Sequence, residues 1–308
     1  MTVQTVTGPV AAADLGRTLA HEHLLTSPGR AFRAGDDDLV LDDPAAAARD
    51  LEAFARAGGG TVVEVSCAEF GRDAAGLARL SQATGVRIVA ATGHVVEAQW
   101  AGVLDVGAMG EAELTAEMVR DLTEGFPGAD GVRAGVLKVG TSRDGATPAE
   151  ARVLRAAAAA QRETGVAITT HTTGGTAPLE QVRILERAGA DLARVCIGHQ
   201  DLRLVEEDHL AVLREGCFIG FDQIGKLKYA PDEERARRIC RLADAGFGDR
   251  IVLSHDFARR SNHLAYGGGP GLPHVLTAFA ALLRGAGLDH AAVERLLVEA
   301  PRALLAGV

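Results

Sequence analysis

The sequence predicts an α/β fold, a closed (β/α)8 TIM barrel, and three observations predict it. Short β-branched runs alternate with longer alanine- and leucine-rich stretches at helical spacing, the runs number eight, and glycines close several of the helical stretches just before the next run. The first run is Gly16-Arg-Thr-Leu-Ala20. Thr61–Val65, Val86–Ala90, Ala134–Lys138, Val166–Thr170, Arg194–Ile197, Cys217–Gly220 and Arg250–Leu253 follow. Helical spacing runs through Asp43–Ala57, Pro148–Thr164, Leu202–Glu215 and Pro231–Ala245, and Gly58, Gly85, Gly165, Gly189 and Gly216 stand where helices give way to strands. An open doubly wound sheet is the competing fold, but no Gly-x-Gly-x-x-Gly turn follows the first run. Little room is left for a second domain and no low-complexity linker interrupts the chain, so residues 1–308 are read as one domain.

Composition narrows the function classes. Apolar residues make up 47% of the chain, enough for a large core, and aromatic residues only 4%, too few for a surface built on stacking. The net charge of -9 repels phosphate backbones and argues against nucleic acid as a partner, while leaving room for a local basic pocket that takes a small anion. Cys67, Cys196, Cys217 and Cys240 are widely separated and three of them sit in apolar, strand-like or helical surroundings, which fits reduced core thiols. The amino terminus shows no basic segment followed by an apolar stretch, and no run is long enough to span a bilayer. A cytoplasmic protein without membrane attachment is the expectation.

In a barrel, residues at the ends of the strands gather at one mouth. Strand one ends in His21-Glu22-His23, where alternation turns both imidazoles to one side and Glu22 to the other. An isolated His-x-His says little. However, Lys138 ends strand four, His171 strand five, His199 strand six and Asp256 strand eight, which brings enough ligands to one rim for two divalent metals. A free ammonium cannot bind a cation. Burial and neighbouring cations lower a lysine pKa, and a neutral lysine can add CO2 as a carbamate, making N6-carboxylated Lys138 a carboxylate able to bridge two metals. The alternative is an ordinary Lys138, paired with Asp256 or gripping a substrate anion.

With these residues in place, the chain resembles the phosphotriesterase family of the amidohydrolase superfamily, almost end to end. The resemblance is carried by Gly16-Arg-Thr-Leu-Ala-His-Glu-His23, Gly71-Arg-Asp73, Val89-Ala-Ala-Thr-Gly93, Ala134-Gly-Val-Leu-Lys-Val-Gly140, Thr169-Thr-His-Thr172, Val195-Cys-Ile-Gly-His199 and Leu253-Ser-His-Asp256. It implies a barrel of the metal-dependent hydrolase type, with His21, His23 and Asp256 on the more buried metal and His171 and His199 on the more exposed one. Carboxylated Lys138 and a hydroxide would bridge the two, and the hydroxide would attack a polarised carbonyl or phosphoryl group. Asp256 is either the proton acceptor of that reaction or only a ligand. Zn2+ is the default metal, and the same donor set suits Mn2+, Co2+ or Fe2+. A homodimer is also implied.

Loops after strands seven and eight carry the substrate reading. Lys226, Lys228 and Tyr229 in one, and Arg259 and Arg260 in the other, place four cations beside the metal site. They resemble loops that grip the phosphate of phosphorylated sugar lactones, so the expected activity is a lactonase on an anionic small molecule. The bland reading is a solvated loop face paired with Asp232, Glu233 and Glu234. A phosphotriesterase or an N-acyl homoserine lactonase on the same site ranks below, since an uncharged triester gains nothing from four cations and an acyl chain needs an apolar channel. Amide hydrolysis uses the same hydroxide, and a non-catalytic metal-binding barrel is the reading from another class. His94 stands where many relatives carry an aromatic residue near the metals and is read as a substrate contact or a hydrogen-bonded rim histidine. Glu64 replaces the commoner aspartate, and His255 points toward the helix layer.

Overall fold

The structure is a computed structural model that describes residues 1–307. Residue 308, the last of the domain read from the sequence, lies outside the described residues. An antiparallel hairpin of β1 (Thr2–Thr5) and β2 (Gly8–Ala11) precedes eight parallel strands: β3 (Arg17–Glu22), β4 (Gly59–Glu64), β5 (Arg87–Thr92), β6 (Val136–Thr141), β7 (Ala167–Thr172), β8 (Val195–Ile197), β9 (Phe218–Phe221) and β10 (Ile251–Leu253). Each pairs in parallel with the next, from β3 to β10. Helices fill the connections, so the barrel expected from the βα rhythm is the one observed. Most of its strands run farther toward their carboxyl ends than the apolar runs do, which brings His171 onto its strand and puts Lys138 inside its strand instead of at the end. The hairpin was not expected, because four-residue strands leave too short a pattern.

Period-two alternation divides the strand residues between two cores. Val63, Val89, Val136, Ala167, Cys196, Phe218 and Val252 fill the barrel interior, where Val3 of the hairpin and Leu304 and Leu305 of the last helix also pack. Leu19, Val62, Ile88, Leu137, Ile168, Ile197, Ile219 and Leu253 face the helices. In β3 the pairing with β4 shifts register between Leu19 and Glu22. Such an irregularity changes the face that following side chains present. It lets His21 join Ala20 on the inner side although Leu19 points out.

Helix ends follow their sequence signals. Asp43 accepts from the amides of Ala45 and Ala46 and starts the helix Pro44–Arg56. Thr147 and Glu150 form a capping box on Pro148–Thr164, which Gly165 ends in the left-handed region. Toward the end of the chain the helix expected over 202–215 shortens to Glu206–Arg214, and the one expected over 231–245 runs as Asp232–Leu242 followed by a π turn, Ala243–Phe247. All four cysteines are buried free thiols. Among the described residues no helix is long and apolar enough to cross a membrane.

The end strands β3 and β10 meet mainly through side chains. Glu22 is fully buried, and its carboxylate accepts from Ser254 Oγ at 2.8 Å, His255 N at 2.8 Å, His255 Nδ1 at 2.7 Å and Phe257 N at 3.1 Å. His21 N donates to Ser254 Oγ at 2.9 Å, and Asp256 N to His21 O at 3.0 Å. Glu22 thus faces away from the two imidazoles, as alternation requires, and His255 faces the helix layer, where its Nε2 accepts from Val275 N at 3.2 Å.

Candidate active site

All six strand-end residues meet at the carboxyl mouth of the barrel. Lys138 Nζ lies 3.0 Å from His21 Nε2, His23 Nε2 lies 3.2 Å from Asp256 Oδ1, and His171 Nδ1 lies 2.7 Å from His199 Nε2. His199 and Asp256 take left-handed backbone, with φ of 60° and 54°, and these unusual conformations turn both side chains into the mouth. Gly93 gives β5 room beside the site: its φ is 120°, and a Cβ there would stand 2.2 Å from Lys138 O.

The outer hydrogen bonds decide which ring nitrogens are bare. Ser66 Oγ gives its proton to Glu64, so it accepts from His23 Nδ1 at 2.6 Å, and His23 Nε2 must carry a lone pair toward the Asp256 carboxylate. Thr173 Oγ1 donates to Thr141 O at 2.9 Å and so accepts from His171 Nε2 at 3.1 Å. His199 Nδ1 donates to Asp222 Oδ1 at 2.7 Å. The facing atoms, His171 Nδ1 and His199 Nε2, are therefore both lone pairs. Two such pairs at 2.7 Å repel unless a cation lies between the rings, and the same holds for His23 Nε2 against Asp256. His21 Nδ1 is buried without a hydrogen-bond partner. The donor set fits divalent metals, and His21, His23 and Asp256 offer ligand atoms all within 4.8 Å of one another.

Electrostatics point the same way. Burial, then Lys138, drives His21 well below its ordinary pKa, and burial, then His199, does so for His171, so both are neutral as ligands must be. Burial lowers Lys138, with Asp256 and Asp222 opposing. A lysine of this kind has the amine needed for carboxylation. Its Nζ donates to Thr170 O at 3.2 Å; the pairing with Asp256 foreseen for an ordinary lysine is made by Lys226 instead. Burial acts to raise Asp256, yet the Lys226 ammonium, 2.8 Å from its Oδ2, outweighs it and holds the carboxyl well below the usual range.

Other site residues fall in three places. Lys226, Lys228, Tyr229 and Arg259 line one cleft of about 400 Å3 that opens onto Asp256. Within it Lys226 reaches inward, its Nζ 2.8 Å from Asp256 Oδ2 and also on Asp256 O, while Lys228 and Tyr229 are exposed. Arg260 does not line the cleft. It is held outside by Asp42 at 2.6 Å and by Val40 O, over the ring of Tyr266. His94 is also drawn away, with Nδ1 3.3 Å from Glu69 and Nε2 3.5 Å from Glu117 beside a separate cleft. Burial opposes its protonation, but the two carboxylates prevail and raise it to about 9. The bland pairing with Asp232, Glu233 and Glu234 is not formed. Asp36 and Asp38 take Arg259, and Asp232 holds Arg235 and His274.

Asp222 and Gln223 were missed. Asp222 anchors His199 through its amide and Nδ1, lies 3.3 Å from His21 Nδ1, and with those two histidines forms a second trio able to hold a metal. Gln223 Nε2 donates to Asp256 Oδ2 at 2.9 Å. Both directly follow β9, so the position at a strand end that marks the other six polar residues marks them too.

The sequence matches the phosphotriesterase family over residues 1–305. It is 37% identical over 287 residues to the phosphotriesterase homology protein of Escherichia coli (strain K12), covering 93% of this chain and 96% of that one. The crystal structure of that protein with phosphate in its active site superposes with a TM-score of 0.90 at 35% identity, over 95% of this chain and 99% of the other. A lactonase from Listeria monocytogenes gives a TM-score of 0.94 at 32% identity, over 99% of both chains. The N-acetyltaurine hydrolase of Tetraodon nigroviridis is 30% identical over 341 residues, covering 97% of this chain and 96% of its own. With its barrel, its cluster of strand-end ligands and these relatives, the chain belongs to the phosphotriesterase family and is a hydrolase of that family.

Proposed function

We propose that the chain is a binuclear metal-dependent lactonase that opens a phosphorylated sugar lactone, and that residues 1–308 form its single catalytic domain. The observation that carries the reading is the cleft in which Lys226, Lys228, Tyr229 and Arg259 stand directly beside Asp256. Beside the cleft, His21, His23 and Asp256 would hold one metal and His171 and His199 the other, and N6-carboxylated Lys138 would serve as a ligand to both. Two bound divalent cations, Zn2+ by default, would lower the pKa of a water and polarise the scissile carbonyl. The chain's own residues do the rest. Lys228 fixes the anionic end of the substrate, with Arg259 beside it although its Nη1 is held by Asp36 and Asp38, Tyr229 forms the outer wall, and Asp256 accepts the proton released as the ring opens. An Asp256→Asn variant that kept both metals and near-normal turnover would reduce Asp256 to a ligand.

A panel assay on the metal-loaded protein tests the substrate class: a pH indicator follows phosphorylated and plain sugar lactones, homoserine lactones and an aryl phosphotriester, and detection of the freed amine follows N-acetyltaurine. Phosphorylated lactones should turn over fastest. Lys228→Ala should raise their KM about 5- to 30-fold, the loss of one charge-assisted contact worth roughly 1–2 kcal/mol, and leave plain lactones nearly unchanged. Equal effects on both would remove the phosphate anchor. The second reading is amide hydrolysis, favoured by the relative named for N-acetyltaurine, an amide whose anionic end would suit the same cleft. Turnover of that amide above every lactone would put it first.

A further inference from the structure

We infer that Arg235 is a positioning residue for substrate specificity, presetting the loop that presents Lys228 and Tyr229 to the anionic end of the substrate; the inference rests on the anion-binding reading of that cleft. Arg235 lies on the helix Asp232–Leu242 and is fully buried, which is unusual for an arginine away from any ligand. Its guanidinium reaches four groups. Nε donates to Asp201 Oδ2 at 2.8 Å, Nη1 to Asp232 Oδ1 at 3.0 Å and to Ala230 O, and Nη2 to Lys226 O at 3.3 Å. The two carbonyls bracket the 226–230 tip, so one rigid fork holds both of its ends.

The same ion pairs secure the base of the loop. Asp201 also accepts from the amides of Asp222 at 3.1 Å and Gln223 at 3.0 Å, and Asp232 Oδ1 accepts from Gly225 N at 3.0 Å. Backbone from 222 to 232 is thereby referred to a single buried cation. Asp201 follows His199 by two residues, so that cation ties the anion-binding tip to the strand end that supplies the metal cluster. Stability alone does not call for this arrangement, because a buried ion pair is often matched by well-packed apolar side chains. A fork that sets a loop cannot be replaced that way.

Arg235→Lys keeps the buried charge but cannot reach Asp201 and both carbonyls together. Steady-state kinetics of this variant should show KM for a phosphorylated sugar lactone raised about 5- to 20-fold with kcat within about twofold, and KM for the unphosphorylated lactone nearly unchanged. A parallel rise in both KM values, or none in either, overturns the inference. Lys228→Ala runs beside it: if that variant also fails to separate the two lactones, the anion-binding reading itself has failed, whereas separation by Lys228→Ala alone rejects only the role of Arg235. Hydrogen exchange of the unmutated protein gives a readout that needs no variant to fold. The amide of Tyr229, which donates to Lys226 O at 3.1 Å, should be protected without ligand and little changed by inorganic phosphate. Protection that arises only with phosphate would show a loop ordered by its ligand and would reject presetting by Arg235.

Discussion

The floor of the barrel mouth and its rim are both rich in charge, yet they hold it by different means. On the floor, Glu22, His23, His199 and Asp222 are buried, and each reactive atom is aimed by a second hydrogen bond to another buried group. On the rim, the loop after β10 is tied to the loop after β3 by Arg259 with Asp36 and Asp38 and by Arg260 with Asp42, pairs whose side chains are between 32% and 57% exposed. Unpaired groups on the floor would cost their full desolvation, whereas rim pairs trade water for water. Strand geometry fixes the floor. The rim is free to change without disturbing it.

The sharpest way to break this contrast is at the seam. Glu22→Gln would keep one oxygen for Ser254 and His255 but turn an amide donor toward the donor Phe257 N and weaken the charge-assisted bonds, and should destabilise the protein by about 2–4 kcal/mol, read from urea unfolding. A loss below about 1 kcal/mol would mean that apolar packing alone joins β3 to β10.

That difference also explains what could be read from the sequence. Strand periodicity and glycine stops locate the barrel, and a strand end is a place that sequence can identify, so His21, His23, Lys138, His171, His199 and Asp256 were all within reach. Whether a rim cation is free depends on which distant loop comes to meet it. Asp36, Asp38 and Asp42 are more than 200 residues from their arginines, and nothing local in Arg259-Arg260 announces them. Lys226 gave the opposite surprise, bending into the cluster instead of outward. Asp222 and Gln223 were legible by position, but only through the rule that every strand end of a barrel deserves the same scrutiny.

His94 is the intermediate case, buried like the floor but paired like the rim. Raised from 6.5 to about 9 by Glu69 and Glu117, it contributes stability that is fully present below the unfolded pKa and lost as pH rises through about 9. The urea midpoint should therefore decline between about pH 7 and 10, and Glu117→Gln should flatten much of that decline. A profile unchanged by Glu117→Gln would return His94 to the role of a neutral rim histidine facing substrate.

The smallest effect is expected at Arg260 and Asp42. Their bond is short, 2.6 Å, but the side chains are 37% and 57% exposed, and water competes for both partners. A double-mutant cycle on Arg260→Ala and Asp42→Ala should give a coupling of about 0–1 kcal/mol that falls further as salt rises from roughly 0.05 to 0.5 M. Arg260→Ala alone should cost slightly more than the coupling, since the guanidinium also covers Tyr266 and donates to Val40 O. A coupling above about 2 kcal/mol that salt does not move would place this pair with the desolvated floor, and the loops after β3 and β10 would then form one rigid structure with the metal cluster instead of a replaceable frame around it.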